Sequence, residues 1–553
     1  MDKARKRFRI IIILLILLLG VLLWRITKLM FFHKAVLSAV PSQVNLSERG
    51  FILDRNGEKL ALSLETLSVY ARPSEIENKK ETATELARVL GTRYDRVLRM
   101  INTDKPFVWI ERQVDIALIP SFDELDLKGI YTEKEFRRYY PFGNLASHVI
   151  GFAGIDQEGL EGIEYQFDEV LLPRKREERP EAHGGEETTR GYSVVLTIDR
   201  YVQEIVEEEL AASYAQTGAQ LITALVMRPD TGEILALSNK PDYDLNRFGN
   251  YPDDLIRNKA ITDSFEPGST FKIFISSILF DSGLIDEDDT FECSGEIDVG
   301  GVTIHDTGEH GIVNPRQILE RSCNVGMVLS VDRIGKSDLF EKLRAFGFGT
   351  PTGINLPGEA RGILRNPGEW SMLSKYVIAI GQEVSSTPLQ IITAAGAIAN
   401  DGVLMQPRIV KSIERPDGTL IKEYGPLQIR RVLSSETANR MLDILTGVLS
   451  DRGTGYNARI EGYSMAGKTG TAQIADREKG GYLEGQFYAS FIGFLPVPEP
   501  KIVVLVTLDR PTGESYGGQT AAPVFKHIVE RIAPYLNIYP SSTKVYILND
   551  ADK

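Results

Sequence analysis

The sequence predicts an α/β (α+β) fold: a mixed, helix-covered antiparallel sheet, preceded by a smaller mixed domain and one apolar membrane segment. Three observations carry this expectation. β-Branched runs stand at both ends of residues 191–540, with helix-period runs between them. A charged stretch with almost no apolar content, residues 173–190, separates that region from the mixed segment before it. Residues 10–32 form the only long apolar run.

Composition bounds the function. The chain has 553 residues, 42 % of them hydrophobic and 25 % charged, which fits a globular protein of several domains. A net charge of −13 gives no support to a nucleic-acid partner, which needs a basic face. Two cysteines, Cys293 and Cys323, exclude a disulfide-stapled scaffold and a four-cysteine zinc site. None of the six histidines sits in an H-E-x-x-H pattern, so neither cofactor nor metal is expected.

In chain order, residues 1–9 carry Lys3, Arg5, Lys6, Arg7 and Arg9 against one acid, Asp2. Ile10 to Trp24 then has no polar side chain, and Ile26, Leu29, Met30, Phe31 and Phe32 extend it. Arg25 and Lys28 can reach the headgroups by snorkelling. Basic residues follow the apolar run where a small-x-small cleavage site would stand, so an uncleaved signal anchor is expected. The positive-inside rule keeps residues 1–9 in the cytoplasm and sends the rest outward, as a single-pass membrane protein. Residues 33–172 alternate β-like runs (Leu67 to Tyr70) with helical ones (Ala83 to Ile101), and Arg55-Asn56-Gly57 reads as a hairpin turn. Beyond the linker, Ser193 to Ile198 is a strand and Asp199 an N-cap, with Val202, Ile205, Val206 and Leu210 on one helix face. Leu221 to Met227 and Glu233 to Leu237 flank the turn Pro229-Asp230-Thr231-Gly232. Ser490 to Leu495 and Lys501 to Leu508 give another strand pair, and Ala521 to Leu536 a long helix. Residues 541–553 form a polar tail.

Three short motifs carry chemistry: Ser269-Thr270-Phe271-Lys272, Ser322-Cys323-Asn324 and Lys468-Thr469-Gly470-Thr471. A lone S-x-x-K says little, since Ser541-Ser542-Thr543-Lys544 is another. Context separates the two. Pro267 and Gly268 break the chain before Ser269, and Phe271 to Ile275 starts an apolar helix. That puts Ser269 at a helix start, where free N–H groups favour developing negative charge. Lys272 lies one turn along the same face. A serine hydroxyl needs an adjacent base, and a lysine serves only when desolvation or a nearby cation strips its proton. Lys468 is a candidate for that cation.

The three motifs together occur in serine β-lactamases and penicillin-binding proteins. The chain resembles a class B penicillin-binding protein, a peptidoglycan D,D-transpeptidase, over residues 45 to 535. Arg49-Gly50-x-Ile52-x-Asp54-Arg55-Asn56-Gly57 resembles the opening of that family's pedestal module, and Gly159 to Glu164 its end. Glu266 to Lys272, Gly381-Gln382, Thr387 to Gln390, Ala466 to Ala472 and Ala521 to Phe525 are similar to further family segments. Leu60-Ala61-Leu62-Ser63 looks more like the division-specific branch than the elongation branch.

The resemblance implies roles. Ser269 attacks the penultimate D-Ala carbonyl of a stem peptide ending in D-Ala-D-Ala, with Lys272 as base. Ser322 relays a proton to the leaving D-Ala, and Asn324 holds Lys272 and the substrate amide. Lys468 supplies positive charge, Thr469 and Thr471 bind the terminal carboxylate, and Gly470 allows close approach. The backbone N–H groups of Ser269 and Thr471 form the oxyanion hole. β-Lactams are implied ligands. A polytopic membrane glycosyltransferase and other division proteins are implied partners.

Two features depart from the family pattern: Cys323 in the middle of S-x-N, and Leu172-Pro173-Arg174 at the pedestal's exit. Packed, Cys323 is inert; beside the cleft, it is accessible. Two rivals remain at this level. A β-lactamase or D,D-carboxypeptidase would share the acyl-enzyme, and a penicillin sensor or divisome scaffold would share the fold. A Ser-His-Asp triad through His305-Asp306 or Asp509 is disfavoured, because S-x-x-K chemistry needs no histidine.

Overall fold

The computed structural model describes residues 19–20, 48–118, 125, 127–172, 190–476 and 480–540. The expected membrane anchor, the charged linker and the polar tail with its Ser541 motif lie outside the described residues, save Leu19 and Gly20 within the anchor and Arg190 at the linker's end. Among the described residues, no helix is long and apolar enough to cross a membrane.

The larger sheet of the catalytic region has five strands in the order Ala466–Ala475, Tyr482–Leu495, Ile502–Asp509, Leu221–Met227, Ile234–Lys240, antiparallel throughout. Of its three inner strands, Ile502–Asp509 and Leu221–Met227 are buried almost throughout and Tyr482–Leu495 from Ala489 onward, because helices cover both faces there. One face carries Arg200–Thr217 and Ala521–Tyr535, and Pro388–Ala399 packs on the other. Asp199 starts the first of these by accepting from the amides of Tyr201 and Val202, as an N-cap does. Thr387 and Gln390 form a capping box that starts Pro388–Ala399, which accounts for the Thr-Pro-Leu-Gln segment. The side chain of Gln390 also ties the carbonyls of Thr350 and Arg361 to that helix.

The hairpin expected around Asn56-Gly57 joins Ile52–Leu53 to Lys59–Ala71. The helical run expected over Ala83 to Ile101 is two helices, Lys79–Leu90 and Tyr94–Ile101. Gly91 separates them in the left-handed conformation, φ +62°, which ends the first helix.

The sheet of the N-terminal part does not stop at the expected boundary. Ile52–Leu53 pairs in parallel with Ser193–Leu196, which in turn pairs with Val410–Glu414. One mixed sheet therefore runs from the N-terminal segment into the catalytic part. The motifs at the two ends of the pedestal meet beside it. Arg49 Nε donates to Glu164 Oε2 at 2.5 Å, and Arg138 Nε to Glu164 Oε1 at 2.6 Å. Arg49 also reaches Asp168 Oδ1 at 2.7 Å and the Glu164 carbonyl at 2.6 Å. Arg49, Arg138 and Glu164 are all buried, so each charge depends on the others for solvation.

Candidate active site

Pro267 and Gly268 turn the chain into a 3-10 turn, Gly268–Phe271, that runs directly into the helix Lys272–Asp281. The helix is buried from Lys272 to Phe280, so it carries the lysine into the core while Ser269 stays half-buried at the turn. Gly381 clamps this turn from one side. Gly268 N donates to Gly381 O at 2.9 Å, and a Cβ on Gly381 would stand 2.0 Å from Gly268 O. Only glycine fits there, which accounts for the Gly381-Gln382 segment.

Lys272 is fully buried and converges on the second motif. Its Nζ donates to Ser322 O at 2.6 Å and Asn324 Oδ1 at 2.7 Å, with Ser322 Oγ at 3.5 Å. Burial draws the Lys272 ammonium down to about 8, against the opposing pull of Asp306. Ser322 itself has φ +60°, a strained conformation that costs a non-glycine residue about 1–3 kcal/mol.

Asn324 begins the helix Asn324–Val331, with Cys323 as N-cap accepting from Gly326 N at 3.2 Å. The amides of Asn324 and Val325 donate to Asp306 Oδ2 at 2.7 and 3.1 Å, and Asn324 Nδ2 donates to His305 O at 2.9 Å. The Asn324 side chain is thus held at one end by His305 and offers its oxygen to Lys272. Cys323 is fully buried, and burial pushes its thiol up. The packed alternative for Cys323 is the one the structure adopts.

Lys468 lies on Ala466–Ala475, the edge strand of the five-stranded sheet. It is fully buried, and its Nζ donates to Ser322 Oγ at 3.0 Å and Thr469 O at 3.1 Å. Burial, then repulsion from Lys272, holds it well below the ordinary lysine range. Thr469 Oγ1 shares a hydrogen bond of 2.7 Å with Thr454 Oγ1, and Thr471 Oγ1 accepts from Gly517 N at 3.1 Å. Between them, Gly470 lets the strand meet the nucleophile turn. A Cβ on Gly470 would stand 2.3 Å from Ser490 Oγ, 2.8 Å from Thr270 Cγ2 and 3.0 Å from Pro267 O. An edge strand keeps backbone groups free for a substrate, and this one does so beside Ser269.

All eight residues singled out from the sequence are therefore placed by one turn, one helix start and one strand. The sequence reading missed Thr454 and Gly517, which hold the Thr469 and Thr471 hydroxyls, and it weighed Asp306 only as a triad member. No local signal marks Thr454 or Gly517. Asp306 does not form a triad: His305 is exposed and turns to Glu296, at 3.2 Å. Asp509 pairs with Arg510. An open cleft of about 1150 Å³ lined by Arg55, Asp199, Arg228 and Tyr535 contains no residue of the three chemical motifs.

A turn-borne serine, a buried lysine one turn on, and a second lysine sharing a hydroxyl with the first define an active-site-serine acyltransferase. The comparisons narrow this class. Residues 222–530 match the penicillin-binding protein transpeptidase domain, and residues 44–193 the penicillin-binding protein dimerisation domain. The chain belongs to the class B penicillin-binding proteins and is a serine D,D-transpeptidase.

Among its relatives, stage V sporulation protein D of Bacillus subtilis is 35 % identical over 90 % of this chain and 80 % of its own length. A peptidoglycan D,D-transpeptidase FtsI of Buchnera aphidicola is 30 % identical over 98 % of this chain and 97 % of its own. The crystal structure of penicillin-binding protein 3 of Mycobacterium tuberculosis with aztreonam superposes with a TM-score of 0.72 at 31 % identity. That match covers 90 % of this chain and 98 % of the other.

Proposed function

We propose that this protein cross-links peptidoglycan stem peptides ending in D-Ala-D-Ala during septal wall synthesis, through an acyl-enzyme on Ser269. The observation that carries the reading is the hydrogen-bonded chain Lys272, Ser322, Lys468, buried beside a half-exposed serine. Ser269 Oγ attacks the carbonyl of the penultimate D-Ala while neutral Lys272 takes its proton. The amides of Ser269 and Thr471 hold the oxyanion, each donor being worth about 3–4 kcal/mol in the transition state. As the C–N bond breaks, a proton reaches the leaving D-Ala amine through Ser322. An acceptor amine then attacks the ester and gives up a proton to the lysine pair, which protonates Ser269 Oγ as it departs. Lys468 and the Thr469 and Thr471 hydroxyls take the terminal carboxylate. A β-lactam presents a comparable carbonyl and carboxylate, so it acylates the same serine; the Mycobacterium tuberculosis structures with aztreonam and ampicillin support this.

The division role rests on the Leu60 to Ser63 segment and on relatives named FtsI. The relative named as a sporulation protein favours a second reading, a role confined to sporulation. Depletion in growing cells separates them: filamentation supports septal synthesis, and normal division with defective spores supports the second. The chemistry is tested with a stem-peptide thioester and a D-amino acid acceptor. Exchange product supports transpeptidation, and hydrolysis alone at saturating acceptor marks a carboxypeptidase.

We further propose that residues 10–32 anchor the chain in the inner membrane, with the catalytic part outside the cytoplasm and a polytopic glycosyltransferase as partner. A charge at the anchor's centre costs about 2.5–3.5 kcal/mol on insertion scales, so Leu17→Arg should impair insertion. A soluble form exported by a cleavable signal should fail to support division. Full rescue by that form would reduce the anchor to an address.

A further inference from the structure

Behind the S-x-N motif, four side chains from four short segments point at one spot. Cys293 ends the strand Phe291–Cys293, and His310 immediately precedes the partner strand Gly311–Val313, in which Gly311 faces Cys293. Asp306 follows the strand Val302–His305, and Cys323 caps the helix Asn324–Val331. One ligating atom from each of the four lies within 4.8 Å of all the others. Cys293 Sγ is 3.6 Å from Asp306 Oδ2 and 3.8 Å from His310 Nδ1, and His310 Nδ1 is 3.8 Å from Asp306 Oδ1. A tetrahedral Zn²⁺ with bonds of about 2.0–2.3 Å has ligand–ligand edges of about 3.3–3.8 Å. The three distances among Cys293, Asp306 and His310 are at that size, and Cys323 lies within 4.8 Å of the other three.

The donor set is selective. Two sulfurs with one imidazole suit a borderline-soft cation in tetrahedral geometry, and Mg²⁺ or Ca²⁺ prefer all-oxygen sites. Both cysteines are free and fully buried, and the side chains of Asp306 and His310 are 0 % and 16 % exposed. A disulfide between Cys293 and Cys323 would use the sulfurs but leave the convergence of carboxylate and imidazole without a reason.

We propose that Cys293, Asp306, His310 and Cys323 bind one Zn²⁺ as a closed structural site that holds the S-x-N motif in its catalytic conformation. This replaces the sequence-based expectation of no metal. Binding deprotonates both thiols and releases those protons to solvent, and the imidazole binds neutral. The consequence reaches the active site through two links. Cys323 lies between Ser322 and Asn324 in the chain. Asp306, besides its ligand role, holds the amides of Asn324 and Val325. The metal thus fixes the loop that presents Ser322, with its strained φ of +60°, and Asn324 to Lys272. A fully protein-ligated zinc has no open position, so it takes no direct part in the acyl transfer.

The test uses full-length protein in detergent, purified without chelator, with metal content measured by plasma mass spectrometry. The expected result is about one zinc per chain and two thiols that resist alkylation until the metal is stripped. Stripping with a strong chelator should lower Tm and slow acylation by a fluorescent penicillin about 10-fold or more, and added Zn²⁺ should restore both. His310→Ala should lose the zinc, and His310→Cys, which keeps a ligand, should retain it. Because metal content, thiol reactivity and Tm do not depend on transpeptidation, a failure of the functional reading leaves them intact. Three results would overturn the proposal: no zinc after equilibration with Zn²⁺, a Cys293–Cys323 disulfide in the purified protein, or equal zinc content in His310→Ala and wild type.

Discussion

Lys468 Nζ donates to Ser322 Oγ at 3.0 Å, although the two residues are 146 positions apart. The same hydroxyl stands 3.5 Å from Lys272 Nζ, so two buried amines share one serine. Two buried ammonium groups that close repel, and the interior solvates neither. Both amines are held below the ordinary lysine range, chiefly by burial, and the hydroxyl between them offers a path for a proton from one to the other.

Acylation should depend on pH through Lys272. Burial disfavours its charged form, which lowers it to about 8 and enlarges the neutral, proton-accepting fraction at pH 7 to about a tenth. The rate of penicillin acylation should therefore fall about tenfold per pH unit below about 7 and level off above about 9. Stopped-flow acylation between pH 5.5 and 9.5 checks this. A flat profile would remove Lys272 from the role of base.

Gly470→Ala should displace the strand from the nucleophile turn. The added methyl would sit 2.3 Å from Ser490 Oγ and 3.0 Å from the Pro267 carbonyl, which belongs to rigid backbone. Overpacking of this kind costs about 1–3 kcal/mol, and here the displaced parts are those proposed to hold the carboxylate and the oxyanion. Acylation should drop more steeply than Tm. A variant that loses stability but keeps full acylation would show that the strand's position is not critical.

Cys323 should be unreactive in the native protein, since it is fully buried behind Ser322. A small alkylating reagent should modify it only in denaturant or once the proposed metal has been stripped. Rapid native modification, slowed by a bound β-lactam, would place it in the cleft instead.

The Glu164 carboxylate should make the pedestal acid-sensitive. Burial alone would raise it, but Arg138 and Arg49 outweigh burial and leave it below the ordinary glutamate range. A lowered carboxylate contributes stability above its unfolded value, and that stability is lost as pH falls through the folded value. At neutral pH, Glu164→Gln leaves two buried guanidinium groups without their carboxylate and should cost about 3–5 kcal/mol. The gap in Tm between wild type and variant should close as the pH falls below the ordinary glutamate range. A constant gap from pH 7 to pH 3 would refute the coupling.

The catalytic core was legible because each piece depends on local chemistry. Ser269 and Lys272 are fixed by Pro267, Gly268 and one helical turn, and the central strands by their apolar runs. Gly91 ended a helix that periodicity alone had carried through, because a left-handed cap outweighs an apolar pattern. The two-residue strand Ile52–Leu53 is too short to signal itself; its pairing with Ser193–Leu196 is decided by the tertiary structure. Thr454 and Asp306 act on Thr469 and Asn324 across 15 and 18 residues, contacts no spacing rule encodes.

Acylation of Ser269, with Lys272 beside it, is the step on which the proposed function turns. Full-length protein is treated with penicillin, digested with trypsin and mapped by mass spectrometry. A single adduct is expected within Ala260–Lys272, located on Ser269, absent from Ser269→Ala and undiminished in Ser541→Ala. An adduct that persists in Ser269→Ala and maps to another serine would contradict this expectation.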